Sequence, residues 1–349
     1  MVSLAELTTL RVGGPAGSYV VARSSDELVD AVRAADAAGS PVLLVGGGSN
    51  LVVADAGFPG TVISVASRGV TPESVDYCGG AVVRVAAGEP WDAFVEHAAK
   101  SEWIGIEALS GIPGSVGATP VQNVGAYGQE VSSTVAQVRT WDRVASKVKT
   151  FAAAECGFGY RDSLFKRTRL TSGPSAGGPR YVVLEVVFQF VVGSRAEPVR
   201  YGELSRVLET GEGERVSLFD VREAVLDLRR GKGMVLDASD HDTWSAGSFF
   251  TNPVLSSVPS AVPDDAPRWP AGSSTKLSAA WLIEHAGFAK GYGLPGPASL
   301  STKHTLALTN RGSASAADVV RLAREVRNGV QARFGVTLVP EPELVGLTL

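Results

Sequence analysis

The chain has 349 residues, 44% of them hydrophobic and 19% charged, with a formal net charge of -4 at pH 7. That length exceeds what one ordinary core supports and predicts two or three packed units, while the slight acidity argues against a broad nucleic-acid surface and no apolar run is long enough to span a bilayer. Val2-Ser3-Leu4-Ala5-Glu6 has none of the pattern of a secretory leader, and Cys78 and Cys156 are too few for a disulfide framework and lack metal-ligand spacing, so a cytoplasmic protein with structural thiols and no metal is expected.

In chain order, the apolar run Tyr19–Ala22 leads to Ser24-Ser25-Asp26-Glu27, a cap for a helix predicted over Glu27–Ala38 that Gly39 ends. Pro41–Val45 reads as a buried strand running into Gly46-Gly47-Gly48-Ser49-Asn50 and a second apolar stretch, Leu51–Val53. Val62–Ala87 favours strands, with Val82–Ala86 the clearest, and Pro90–Lys100 favours a helix. Gly105–Ser133 is too long for a simple connection and too apolar for a disordered linker, and reads as a functional loop. Strands are expected in Val135–Phe151 and Tyr181–Val192, with Thr171–Gly178 between them as a flexible surface excursion. A boundary is expected near Asp220, followed by a helical pattern over Val221–Arg230 and an exposed proline-rich stretch over Ser256–Ser274. Helices over Ala279–Ala286 and Ala316–Phe334 flank a strand at Thr305–Thr309.

The 40 glycines concentrate where chemistry is expected. Backbone amides at Gly46-Gly47-Gly48-Ser49-Asn50 could face a pyrophosphate, because absent side chains let backbone approach an anion; a tight turn is the plain alternative. The run is not G-x-G-x-x-G and has no acidic residue suitably placed about 20 positions on, so a nicotinamide-binding Rossmann unit is not supported. Gly111-Ile112-Pro113-Gly114-Ser115-Val116-Gly117, followed by Asn123–Gly128, could form a second loop clamping the opposite side of an extended cofactor, with Tyr127 either near its reactive end or simply packed. Arg161 could hold a carboxylate through paired hydrogen bonds or form an ordinary salt bridge. Lys232 follows Arg229-Arg230-Gly231, a solvated helix end or a diphosphate contact. Ser248 precedes Phe249-Phe250 without a G-x-S-x-G elbow, which disfavours a serine hydrolase and leaves a proton donor or a turn residue. Pro340-Glu341-Pro342-Glu343 places carboxylates in an extended segment, as general acid or base or as an ordinary tail.

Taken in order, Thr9–Ala16, Val45–Leu51, Gly111–Gly128, Tyr160–Lys166, Gly247–Pro253 and the tail to Gly346 resemble the UDP-N-acetylenolpyruvoylglucosamine reductase (MurB) family over nearly the whole chain. The resemblance implies an α+β, three-domain flavoenzyme: FAD-binding subdomains of the vanillyl-alcohol-oxidase/PCMH-like type at 1–66 and 67–220, and an α+β substrate-binding domain at 221–349 that returns Glu341 to the active site. It implies FAD on Gly46, Gly47, Gly48, Ser49, Asn50, Gly111, Gly114, Ser115, Val116, Gly117 and Tyr127. Arg161, Ser248 and Glu341 would be catalytic, and Tyr201, Lys232 and Asn252 would touch substrate. Glu341 is preferred to Glu343 because Pro340-Glu341 and Val345-Gly346 align with the family's ending without gaps, whereas Pro342 and Glu343 depart from its usual valine-arginine.

The implied reaction passes hydride from NADPH through FAD to a UDP-sugar enolpyruvate. Arg161 and Glu341 would stabilise charge on the carboxylate side and Ser248 would return the proton; one site used in turn by both reactants predicts ping-pong kinetics. A monomer is expected, without nucleic-acid or membrane partners. The alternatives are another flavin oxidase of this broad fold and a non-catalytic flavin or nucleotide-sugar binding protein.

Overall fold

In the computed structural model, which describes residues 2–76 and 78–349, the run Tyr181–Val192 is the central strand of an antiparallel sheet. The strands lie in the order Lys147–Ala152, Val135–Asp142, Tyr181–Val192, Gly80–Ala86, Val70–Asp76, with Trp103–Ile104 added along the central strand. The central run is almost continuously apolar because both its faces are covered. Val183, Val186, Phe188 and Phe190 enter a core with Trp91, Phe94 and Val138. Val182 and Leu184 enter a second core with Ala22, Leu28, Val32 and Ile63.

That second core is closed by helix α1 (Ser25–Ala37), whose cap is Ser24: its hydroxyl accepts the Glu27 amide at 3.1 Å. A three-stranded sheet, Ala16–Ala22, Phe58–Val65 and Val42–Val45, lies with it, and Val42–Val45 runs parallel to Phe58–Val65 with Val42 opposite Thr61. Helix α2 (Trp91–Lys100) buries Trp91, Phe94, Val95 and Ala98 at the i, i+3, i+4, i+7 spacing. Helix α3 (Leu218–Gly231) buries Leu218, Val221 and Val225 against Ile104, Ala196, Val199 and Leu204. This packing explains why the compact unit comprising Gly17–Gly47 and Pro59–Arg230 runs one helix beyond Asp220. The Thr171–Gly178 excursion is not wholly at the surface. Ser175 is buried, and its hydroxyl accepts from Arg143 Nη2 at 2.8 Å while Arg143 pairs with Asp36 of α1.

The other unit, here the terminal unit, comprises Met1–Ala16, Gly48–Phe58 and Gly231–Leu349. Its framework is helix α4 (Ala279–His285) and helix α5 (Ala316–Phe334), the latter opened by a reciprocal cap between Ser315 and Asp318 and ended by left-handed Gly335. The apolar face of α5 packs with Phe249, Phe250, Leu282, Ile283, Leu300 and Leu308, and the same core takes Leu10, Val12 and Val52 from the chain's beginning. An antiparallel sheet orders Ser245–Ser248, Ala307–Asn310 and Ala298–Leu300, while Leu51–Val53 pairs in parallel with Glu343–Val345. The stretch Ser256–Ser274 is exposed over most of its length, as expected, with two buried points. Val262 and Ala266 are buried in this core, and its end folds as strand Arg268–Ala271 against Ser274–Leu277. Mostly antiparallel sheets with helices segregated beside them make the fold α+β.

Candidate active site

Within the larger unit the two glycine loops touch. A Cβ on Gly46 would fall 2.2 Å from Ser115 Oγ, and one on Gly47 would fall 2.5 Å from Gly114 Cα. The absent side chains therefore make room for protein, and the loops form one continuous backbone surface where the sequence suggested jaws on opposite sides. Among the described residues the amides of Gly46, Gly47, Gly114 and Ser115 donate to no protein oxygen. Others are committed: Val116 N donates to Glu89 O at 2.9 Å, Gly117 N to Ala87 O at 2.7 Å and Gly111 N to Asp92 Oδ1 at 2.6 Å. Val116 and Gly117 can thus line a cofactor but do not offer it these amides.

Arg161 lies in the same unit with a left-handed φ of 53°. Its Nη2 donates to Gly125 O at 2.8 Å, and its own carbonyl accepts from Lys166 Nζ at 2.9 Å. The Gly125 carbonyl thereby orients the guanidinium, and Lys166 holds the Arg161 backbone. Tyr127, also left-handed, meets Tyr201 edge-on with ring centroids 5.4 Å apart, and Tyr201 is exposed. Burial pushes the Tyr127 phenol up to about 12 and brings the nearby Arg229 guanidinium down to about 10. Asp92, Arg222 and Arg229 are the polar residues that sequence reading missed here. Their signal was available: Arg222 and Arg229 fall on the apolar face of α3, where an unpaired charge is costly.

In the terminal unit, Asn50, Ser248 and Glu341 converge through backbone pairing. Ser248 ends its strand opposite Ala307, just after Gly247 with φ 71°. The next residue, Phe249, anchors the junction: its amide donates to Leu306 O at 2.7 Å, its carbonyl accepts from Glu341 N at 2.8 Å, and its ring is buried against Phe250. Asn50 ties the tail from the other side, accepting Glu343 N on its carbonyl at 2.9 Å and donating Nδ2 to Glu341 O at 3.4 Å. Glu341 is half-buried at this junction, whereas Glu343 is exposed in the strand paired with Leu51. Gly48 is forced to be glycine, since φ is 63° and a Cβ would fall 1.8 Å from Leu7 O; Ser49 follows it within this unit. Asn252 Oδ1 accepts the Ala279 amide at 2.9 Å at the start of α4, and Lys232 is half-buried just beyond α3.

Residues 239–345 match the family of the UDP-N-acetylenolpyruvoylglucosamine reductase C-terminal domain, and residues 16–150 match the FAD binding domain family. A UDP-N-acetylenolpyruvoylglucosamine reductase of Cutibacterium acnes is 57% identical, covering 100% of this chain and 90% of that protein. The chain belongs to the UDP-N-acetylenolpyruvoylglucosamine reductase family. Another such reductase, from Thermobifida fusca, is 53% identical, with 100% of this chain and 98% of that protein covered. The crystal structure of the family's enzyme from Thermus caldophilus matches 99% of this chain and 97% of its own, with a TM-score of 0.62 and 26% identity. Among the described residues no helix is long and apolar enough to cross a membrane.

Proposed function

We propose that this chain reduces UDP-N-acetylglucosamine enolpyruvate to UDP-N-acetylmuramate with NADPH, through bound FAD, in the cytoplasmic synthesis of peptidoglycan precursors. Family membership over the full chain carries this reading. The uncommitted amides of Gly46, Gly47, Gly114 and Ser115 fit a cofactor diphosphate, because clustered N–H dipoles favour anions where no side chain intervenes. FAD would be held by these with Gly48, Ser49, Asn50, Gly111, Val116, Gly117 and Tyr127, and when bound it supplies hydride transfer.

The chain's own residues do the rest. Arg161, its guanidinium oriented by Gly125 O and its backbone held by Lys166, presents a planar fork to the enolpyruvyl carboxylate. Glu341 stabilises the enol-like species that forms when hydride reaches the adjacent carbon. Ser248 then donates the proton. The backbone link from Phe249 to Glu341 holds these two residues in one register, which supports Glu341 over exposed Glu343. Lys232, Asn252 and Tyr201 bind the nucleotide sugar, and the protein acts as a monomer.

An anaerobic absorbance experiment tests the reading. NADPH should bleach the flavin band of the purified protein, and UDP-N-acetylglucosamine enolpyruvate should restore it completely. Recovery by oxygen alone would replace the reductase reading with an oxidase, and no flavin band after reconstitution with FAD would remove the cofactor.

A further inference from the structure

Asp92 is the second residue of α2, where a carboxylate ordinarily serves its own helix's amides and dipole. Here its oxygens are committed elsewhere. Oδ1 accepts Gly111 N at 2.6 Å and Arg222 Nη1 at 2.7 Å, and Oδ2 accepts Arg222 Nη2 at 3.1 Å. Arg222 is only 7% exposed on the apolar face of α3, so its charge is costly to bury and an apolar side chain would fill the place as well. What the guanidinium adds is direction, because its two parallel bonds fix the carboxylate plane. Burial pushes the Asp92 carboxyl up, but Arg222 and the Gly111 amide outweigh it and hold it below the usual carboxylate range.

The far end of the loop is fastened mainly by backbone, Trp91 N to Gly114 O at 3.1 Å, Val116 N to Glu89 O and Gly117 N to Ala87 O, with Thr119 Oγ1 donating to Val116 O at 2.8 Å. Its entry at left-handed Gly111 is fastened by the Asp92 side chain. The uncommitted amides of Gly114 and Ser115 lie between these anchors. We infer that Asp92, locked by Arg222, is a positioning residue for the loop Gly111–Gly117, setting the aim of the amides that receive the cofactor diphosphate. This rests on the assignment of that loop to FAD.

The test measures FAD affinity by fluorescence titration, the visible spectrum of the bound flavin, and thermal melting, on the full chain. Asp92→Ala should raise the FAD Kd about tenfold, about 1.4 kcal/mol, and shift the flavin spectrum. Asp92→Asn keeps a carbonyl oxygen for Gly111 but places an amide nitrogen opposite Arg222 Nη2, so it should recover only part of that loss. Arg222→Met should weaken FAD in the wild-type background and add less than about twofold to Asp92→Ala, as two parts of one unit do. Should Asp92→Ala fail to fold, Arg222→Lys decides: a Kd raised about threefold supports positioning by the fork, and an unchanged Kd overturns it. An Asp92→Ala protein that melts lower yet binds FAD within about twofold of wild type, with the same spectrum, overturns the inference alone. Wild-type protein that takes up no FAD overturns the functional assignment and this inference with it.

Discussion

The two units place their reactive groups by different means. In the larger unit the Gly46-Gly47 turn follows strand Val42–Val45 of the three-stranded sheet, and side chains such as Asp92 and Lys166 hold the backbone at Gly111 and Arg161. In the terminal unit Asn50, Ser248 and Glu341 come from segments far apart in the chain, and main-chain hydrogen bonds bring them together. Side-chain anchors can be weakened one at a time. A junction built of backbone should instead tolerate loss of a reactive side chain without unfolding, and fail when the backbone itself is obstructed.

The largest expected effect follows from that contrast. Ser248→Ala should lower turnover by roughly 10²–10⁴-fold while NADPH still bleaches the flavin, because a proton donor is lost and the strand pairing is kept. Glu341→Gln should fall in the same way and Glu343→Gln should stay near wild type in stopped-flow reoxidation; equal losses at both positions would undo the choice between them. Next in size, Gly48→Ala introduces a Cβ 1.8 Å from Leu7 O in a left-handed turn and should destabilise the terminal unit by about 1–3 kcal/mol or more. Gly47→Ala obstructs Gly114 in the larger unit and should instead weaken FAD uptake. Calorimetry with flavin titration separates the two variants, and identical profiles would mean that the loop acts as one piece.

Smaller effects sharpen the comparison. Asn252→Ala removes the acceptor at the start of α4 and should cost about 1 kcal/mol in melting experiments, in addition to any loss of substrate affinity. Buried Cys156 should resist alkylation in the native protein while exposed Cys78 reacts. Burial pushes the Cys156 thiol up to about 12, so its contribution to stability is complete below the unfolded value of roughly 8.5 and is lost as pH rises toward the folded value. Cys156→Ala should flatten that alkaline decline in denaturant titrations.

Much of the fold was legible because local signals agreed with the packing. The apolar period of Ala316–Phe334 matches its one helix, and the β-branched and aromatic run Tyr181–Val192 matches its one strand. Ser256–Ser274 is exposed over most of its length, as its prolines and small residues suggest, but burial of Val262 and Ala266 depends on a core assembled from distant segments. The sequence by itself determined the family, the α+β class and the residue types available to the site. Tertiary structure decided that Gly46 and Gly47 yield to Ser115 and Gly114, that Asp92 and Arg222 hold the loop's entry, and that Glu341 joins Ser248 through Phe249. Those outcomes rest on contacts between residues distant in the chain, which period and propensity along one stretch of sequence do not encode.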